Sequence, residues 1–174
     1  VSTAWNTPAN WSPNGLPSNT DNVTIVTGSN VCLLPASSGI NNLIVTSGTL
    51  DLGGFTLSTS GPVATFTKGI VQNGTINVSA ATSTIFGNGP MTMNCIVNVV
   101  SASVTFRNTI FQNTTTITKT GGGNDASSGK NVFNGTTNST GAGTGYRLLG
   151  NGSADTFNGP VTFNNTGSSN LYVA

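Results

Sequence analysis

Apolar residues in this chain come in short runs, each closed by glycine, asparagine, serine or threonine. Val23-Thr24-Ile25-Val26 opens the series, and Leu43-Ile44-Val45, Thr49-Leu50-Asp51-Leu52 and Phe55-Thr56-Leu57 follow, with bends at Gly48 and Gly53-Gly54. Comparable runs occupy 63–66, 70–71, 75–78, 85–86, 91–93, 96–100, 104–106, 110–111 and 115–118. No segment keeps helical periodicity for a dozen residues, and Glu is absent. The pattern predicts an all-β chain almost without helix.

The runs are organised by a repeat. Phe133-Asn134-Gly135-Thr136-Thr137-Asn138-Ser139-Thr140-Gly141 returns 24 residues later, starting at Phe157-Asn158-Gly159-Pro160-Val161-Thr162-Phe163. Fainter copies begin at Phe111 and Phe86, with Phe66 further upstream. A period of about 20–25 residues predicts a right-handed parallel β-helix, in which each coil buries its apolar face only by stacking on its neighbours. In that register Phe86, Phe111, Phe133 and Phe157 are expected to stack as one interior column. Asn134 and Asn158, with Asn113 below them, are expected to bond amide to amide from coil to coil. Six Asn-Gly pairs, beginning at 14, 73, 88, 134, 151 and 158, are expected to supply positive φ at corners.

Residues 1–22 differ from the rest. Trp5, Pro8, Trp11, Pro13 and Pro17 sit in a turn-rich segment, which reads as an N-terminal cap plugging the first coil. Residues 23–174 read as solenoid coils, one domain overall, with an open carboxy-terminal end. Cys32 and Cys95 lie 63 residues apart, about three coils, or roughly 14 Å along the stack. Bridged Cα atoms approach within about 7 Å, so two buried free thiols are expected.

Thr, Asn, Gly and Ser make up 95 of the 174 residues, and only 5% are charged, against about 25% in typical domains. The hydrophobic fraction, 35%, comes in regular β-branched and aromatic runs, which separates the chain from disordered polar sequences. The formal net charge is +1, and Lys68, Arg107, Lys119, Lys130 and Arg147 are scattered along the sequence, so neither nucleic acid nor an anionic membrane is an expected partner. No apolar run approaches the roughly 20 residues of a membrane span. The chain opens at Val1-Ser2-Thr3-Ala4-Trp5, as expected of a mature terminus left by signal removal or of an artificial boundary.

Chemistry is sparse. There is no His and no Glu, and the four acids are Asp21, Asp51, Asp125 and Asp155. The spacing of Asp125 and Asp155 does not match the register of the cassette, so they read as solvated corners rather than a catalytic pair. A histidine-based triad, a structural zinc site and a phosphate loop are excluded by composition, so no catalytic residue, metal or cofactor is expected. Thr114 to Thr120 alternates outward threonines, but neighbouring coils do not repeat the pattern, and an ice-ordering face is not expected. Trp5, Trp11, Tyr146 and Tyr172 are the candidates for contact with a glycan, since exposed aromatic rings stack on sugars.

Two stretches carry a resemblance. Asn10-Trp11-Ser12-Pro13-Asn14-Gly15-Leu16-Pro17 with Asp21-Asn22-Val23-Thr24-Ile25, and Ser47-Gly48-Thr49-Leu50-Asp51-Leu52-Gly53-Gly54-Phe55-Thr56-Leu57, resemble the start of large secreted β-helix proteins of Bacteroidota, whose tandem repeats are similar to the Phe-Asn-Gly cassette. The resemblance implies an adhesin-like extracellular or cell-surface protein of the type IX secretion kind, although that route's sorting domain has no counterpart here. It carries over no functional residues. The expected role is a structural or adhesive stalk or filament subunit, assembled end to end or through further repeats. The alternatives are a carbohydrate-binding module, with surface polysaccharide as the partner, and a β-helix enzyme acting on polysaccharide.

Overall fold

The computed structural model describes residues 3–168 and 170–173. Its one helical element is a single 3-10 turn, Pro8–Asn10. Fifteen strands follow: β1 (Val23–Leu33), β2 (Ser38–Ile40), β3 (Leu43–Asp51), β4 (Thr56–Thr59), β5 (Val63–Phe66), β6 (Gly69–Phe86), β7 (Met91–Phe106), β8 (Thr109–Phe111), β9 (Thr115–Lys119), β10 (Val132–Phe133), β11 (Thr137–Gly141), β12 (Arg147–Leu148), β13 (Thr156–Phe157), β14 (Val161–Asn165) and β15 (Leu171–Tyr172). Every ladder between them is parallel, and the chain forms a β-solenoid of about seven turns. The all-β expectation and the coiled architecture both hold.

Each coil has three faces. The first face carries Ile25, Val45, Phe66, Phe86 and Phe106 in direct register. On the second face the inward column is Cys32, Leu50, Val71, Met93, Phe111, Phe133 and Phe157. The third face runs through β4, the middle of β6, the middle of β7, β9, β11 and β14. Coil length varies along the second face. It is short from Cys32 to Leu50 and from Met93 to Phe111, and longest from Phe133 to Phe157, with the difference taken up at corners. Alternation sends every second residue inward, which is why β7 reads buried at Met91, Met93, Cys95, Val97 and Val99.

The phenylalanines form two columns rather than one. Phe86 lies parallel to Phe66 and Phe106, at 5.0 and 5.6 Å between centroids, on the first face. Phe111, Phe133 and Phe157 stack on the second face at 4.8 Å per step. Phe86 meets Phe111 edge-on, at 70° and 5.3 Å, across the interior. The expected single column joined two faces because both repeat at nearly the same interval. The amide ladder is corrected similarly: Asn158 donates to Asn134 at 2.7 Å, and Asn134 donates to Gln112 at 2.7 Å, whereas Asn113 donates to Asn94. Gln112 is the residue after Phe111, as Asn134 follows Phe133, so register fixes the partner.

In three of the six Asn-Gly pairs the glycine, Gly74, Gly135 or Gly159, serves close approach rather than positive φ. Among the six pairs only Asn73, at 59°, and Gly152, at 85°, take the left-handed conformation. Gly159 stacks directly over Gly135, and a Cβ there would run into the Gly135 carbonyl. Cys32 and Cys95 are free and buried, and burial pushes their thiols up to about 11 and about 12.

Phe133 is 1% exposed and sandwiched by two parallel rings, whereas Phe157 is half-buried. Phe133→Ala is expected to lower unfolding free energy by about 3–5 kcal/mol, with Phe157→Ala costing less than half as much. Urea titration of the two variants side by side checks the ratio.

Candidate functional site

The four aromatic candidates do not gather on one surface. Trp5 is 4% exposed and belongs to the core cluster over the first coil. Its backbone N–H donates to the Leu33 carbonyl at 2.8 Å, while the Leu33 N–H donates to Thr3 at 3.1 Å, so residues 3–5 lie as a further rung beside Leu33. Trp11 packs edge-on against Trp5, at 5.0 Å and 71°, and its indole N–H donates to the Trp5 carbonyl at 2.8 Å. Trp5 therefore has no face to offer a sugar. Trp11, half-buried, lines a groove of about 780 Å³ between the 9–17 segment and β1, together with Asn10, Asn14, Asp21, Asn22 and Asn30. Tyr146 and Tyr172 sit at the other end of the stack, edge-on to each other at 5.4 Å.

The charged residues depart furthest from the sequence reading. Asp125 is buried at 3% exposure and Arg147 at 1%, and Arg147 Nη1 donates to Asp125 Oδ2 at 3.2 Å. They occupy successive coils of the first face. The guanidinium also donates from Nε to Ser139 Oγ at 2.9 Å and sits 5.4 Å from the centroid of Phe106. Lys119 is fully buried beside them and donates through Nζ to the carbonyls of Gly121 and Gly145, at 2.9 and 3.0 Å.

This polar interior has a backbone cause. Residues 121–128 form no strand, so the first face of the coil beneath loses some of its main-chain partners, keeping the bond from the Ser128 N–H to the Phe106 carbonyl at 3.0 Å. Side chains replace those lost. Val104 N–H donates to Asp125 Oδ1 at 3.1 Å, Phe106 N–H to Ser127 Oγ at 2.9 Å, and Thr109 N–H to Asn131 Oδ1 at 3.1 Å. One coil later Asp155 Oδ1 accepts from both the backbone and the side-chain nitrogen of Asn131, at 2.9 and 2.8 Å. A buried N–H without an acceptor is costly, so inward polar side chains are the structural answer to a missing strand.

Burial sets the titration of this group. It raises Asp125 above the ordinary 3.8, against the pull of Arg147 and two backbone N–H groups, and it brings Arg147 down to about 10. Asp155 is likewise raised by burial, its bonds from Asn131 opposing. Asp51 goes the other way: burial would raise it, but bonds from Gln72, the Gly53 N–H and Asn73 hold it below 3.8. Among the described residues no group of three or more His, Cys, Asp and Glu side chains could hold a metal.

The exterior of the second face is ordered in two columns. Each coil presents a triplet whose middle residue enters the core: Val31-Cys32-Leu33, Thr49-Leu50-Asp51, Ile70-Val71-Gln72, Thr92-Met93-Asn94, Ile110-Phe111-Gln112, Val132-Phe133-Asn134 and Thr156-Phe157-Asn158. The first outward column is therefore all β-branched, and the second, from Asp51 onward, is a carboxylate followed by five carboxamides. Gln72 donates to Asp51 at 2.8 Å, and Asn134 and Asn158 continue the same kind of bond higher in the stack.

The corner leading into this face holds the remaining basic residues. Lys68, Arg107 and Lys130 lie there on the third, fifth and sixth coils, with Asn88 on the fourth, to which Arg107 Nη1 donates at 3.2 Å. Lys and Arg residues that look scattered in sequence thus sort into two groups, two inside the stack and three at one outer corner. The corner turns through left-handed residues, Gly69 at 112°, Gly87 at 79°, Asn108 at 48°, and Gly129 and Lys130 at 82° and 62°.

Comparison with protein-family models, with curated proteins and with solved structures returns no match.

Two outcomes follow from the interior. Arg147→Met is expected to cost about 3–5 kcal/mol because it strands a buried carboxylate, and adding Asp125→Asn, which keeps the acceptor for Val104, is expected to recover most of that loss in urea titrations. Because the folded chain holds the Asp155 proton to a pH above 3.8, it binds more protons there than the unfolded chain, and this term lowers stability as pH rises through that window. Asp155→Asn is expected to remove that slope and to be at least as stable as the parent at pH 7, measured by thermal melts from pH 3 to 7.

Proposed function

We propose that the chain is part of an extracellular structural and adhesive protein, a stiff β-solenoid stalk or filament segment displayed at a cell surface, with no catalytic site of its own. The observation that carries this reading is the continuity of the stack. Three faces keep register through about seven turns, and the buried polar side chains are engaged largely in joining one coil to the next. Stacked coils resist shear and bending because each contact is repeated along the axis. Two of the acids a polysaccharide-cleaving site would need are tied into that work: Asp125 to Arg147 and Val104, and Asp155 to Asn131. Lengthening of such a rod proceeds by further repeats or by a second copy stacking end to end.

A second reading, a carbohydrate-binding module, is favoured by the groove beside Trp11, whose volume falls in the range of small-molecule sites and whose lining mixes one aromatic ring with several carboxamides. On that reading Trp11→Ala is expected to abolish retention on a glycan column without unfolding the chain.

Immunogold labelling of intact producing cells, followed by electron microscopy, tests the main reading. Label on the outer surface along rods or filaments is the expected result. Label confined to the cell interior would sink it.

A further inference from the structure

We infer that the second face and its basic corner form a docking surface for a linear anionic polysaccharide, one carrying uronate carboxylates or sulfate esters. The inference rests on the adhesive reading above and names the partner that such a surface would hold.

Charge complementarity selects the ligand. Every Lys or Arg side chain on the outside of the stack is at this corner: Lys68, Arg107 and Lys130, while Lys119 and Arg147 are buried. Of the four acids, Asp125 and Asp155 are turned into the stack, leaving Asp51 at the first end of the amide ladder and Asp21 beyond it. A chain with net charge +1 therefore gathers positive charge along one edge, stepping two coils and then one coil, about 10 Å and 5 Å along the axis, with Arg107 one residue out of register with Lys130. Lys130 holds this place at a φ of 62°, a conformation glycine or asparagine would adopt with less strain. Strained backbone positions gather at functional sites, and here the strained residue carries a cation.

The neighbouring columns fit the rest of a sugar chain. Each ladder amide has two N–H groups and two acceptor positions, and coil-to-coil bonding uses only part of them, which leaves the others for hydroxyls. The β-branched column alongside is stiff at χ1 and supplies flat apolar contact for C–H faces. Both columns repeat at each coil, so a ligand with a repeating unit gains the same contact several times over about 29 Å, six steps of the stack. Nucleic acid fits less well, since neither column carries an aromatic ring on which bases could stack.

The test uses the whole chain on immobilised polygalacturonate, dextran sulfate, neutral dextran and single-stranded polynucleotide, at low and at physiological salt. Binding to one or both acidic polysaccharides is expected, weakening with salt, and the two columns separate carboxylate from sulfate recognition. The triple variant Lys68→Gln, Arg107→Gln, Lys130→Asn keeps polar side chains and suits the left-handed position, and it is expected to lose about tenfold in affinity with an unchanged circular dichroism spectrum. If the triple variant misfolds, Ile110→Asp in the β-branched column gives an independent reading, with the same direction of loss expected. Failure to bind either acidic polymer, equal retention on neutral dextran, or tighter binding to the polynucleotide overturns the inference. Surface-displayed rods that bind neither polymer would overturn this inference alone, whereas a chain found only inside cells would remove the reading beneath it.

Discussion

Direct vertical register is the constraint on which everything else in this molecule depends. In a parallel stack the same position of every coil sits over its predecessor at about 4.8 Å, so a side chain is chosen by its neighbours above and below more than by its neighbours in sequence. The column from Cys32 through Leu50, Val71, Met93 and Phe111 to Phe157 begins with a small thiol and ends in three phenylalanines, with its aliphatic members between. Where Phe66, Phe86 and Phe106 end on the first face, the second face takes over the aromatic filling with Phe111, Phe133 and Phe157. The handover is made edge to face, the arrangement aromatic quadrupoles favour when rings from two columns meet.

Register also decides where polarity enters. Beyond Phe106 the first face has no strand in residues 121–128, and the interior changes from apolar to hydrogen-bonded within one coil. Asp125 is drawn inward by an N–H that needs an acceptor, and a buried carboxylate in turn requires a cation. Arg147, one coil above on the same face, is in place to supply it. The ion pair is thus a consequence of a broken ladder, and its net contribution is smaller than the cost of removing either half.

The repeat and the all-β class were legible because they rest on local signals: Phe-Asn-Gly at 133 and 157, short β-branched runs and the absence of helical periodicity. The two-column aromatic core was not, since Phe86, Phe106 and Phe111 recur too closely for spacing to sort them, and only the hydrogen-bond register tells which of them share a face. Residue type favours Asn113 as the rung beneath Asn134, whereas position selects Gln112, and position prevails. The interior charges were illegible for a different reason. Charged residues are almost never fully buried unless paired, so Asp125 and Arg147 default to the surface until a missing strand is known. Nothing in the sequence around Gly121-Gly122-Gly123 announces that side chains will replace backbone there.

The same sorting explains how a nearly neutral chain acquires a charged edge. Two cations and two acids are drawn toward the interior by local hydrogen-bonding needs, and their removal from the surface changes the balance of what stays outside. Lys68, Arg107 and Lys130 share a corner because corners are where the coil must turn, where inward packing makes no demand, and where a long side chain can extend without disturbing its neighbours above and below. Stacking then gathers them along one edge, with Arg107 in register with Gly129, one residue before Lys130. A solenoid converts a scattered sequence pattern into a line, and a line of charge beside a ladder of amides is a feature of the assembled stack that no single coil possesses.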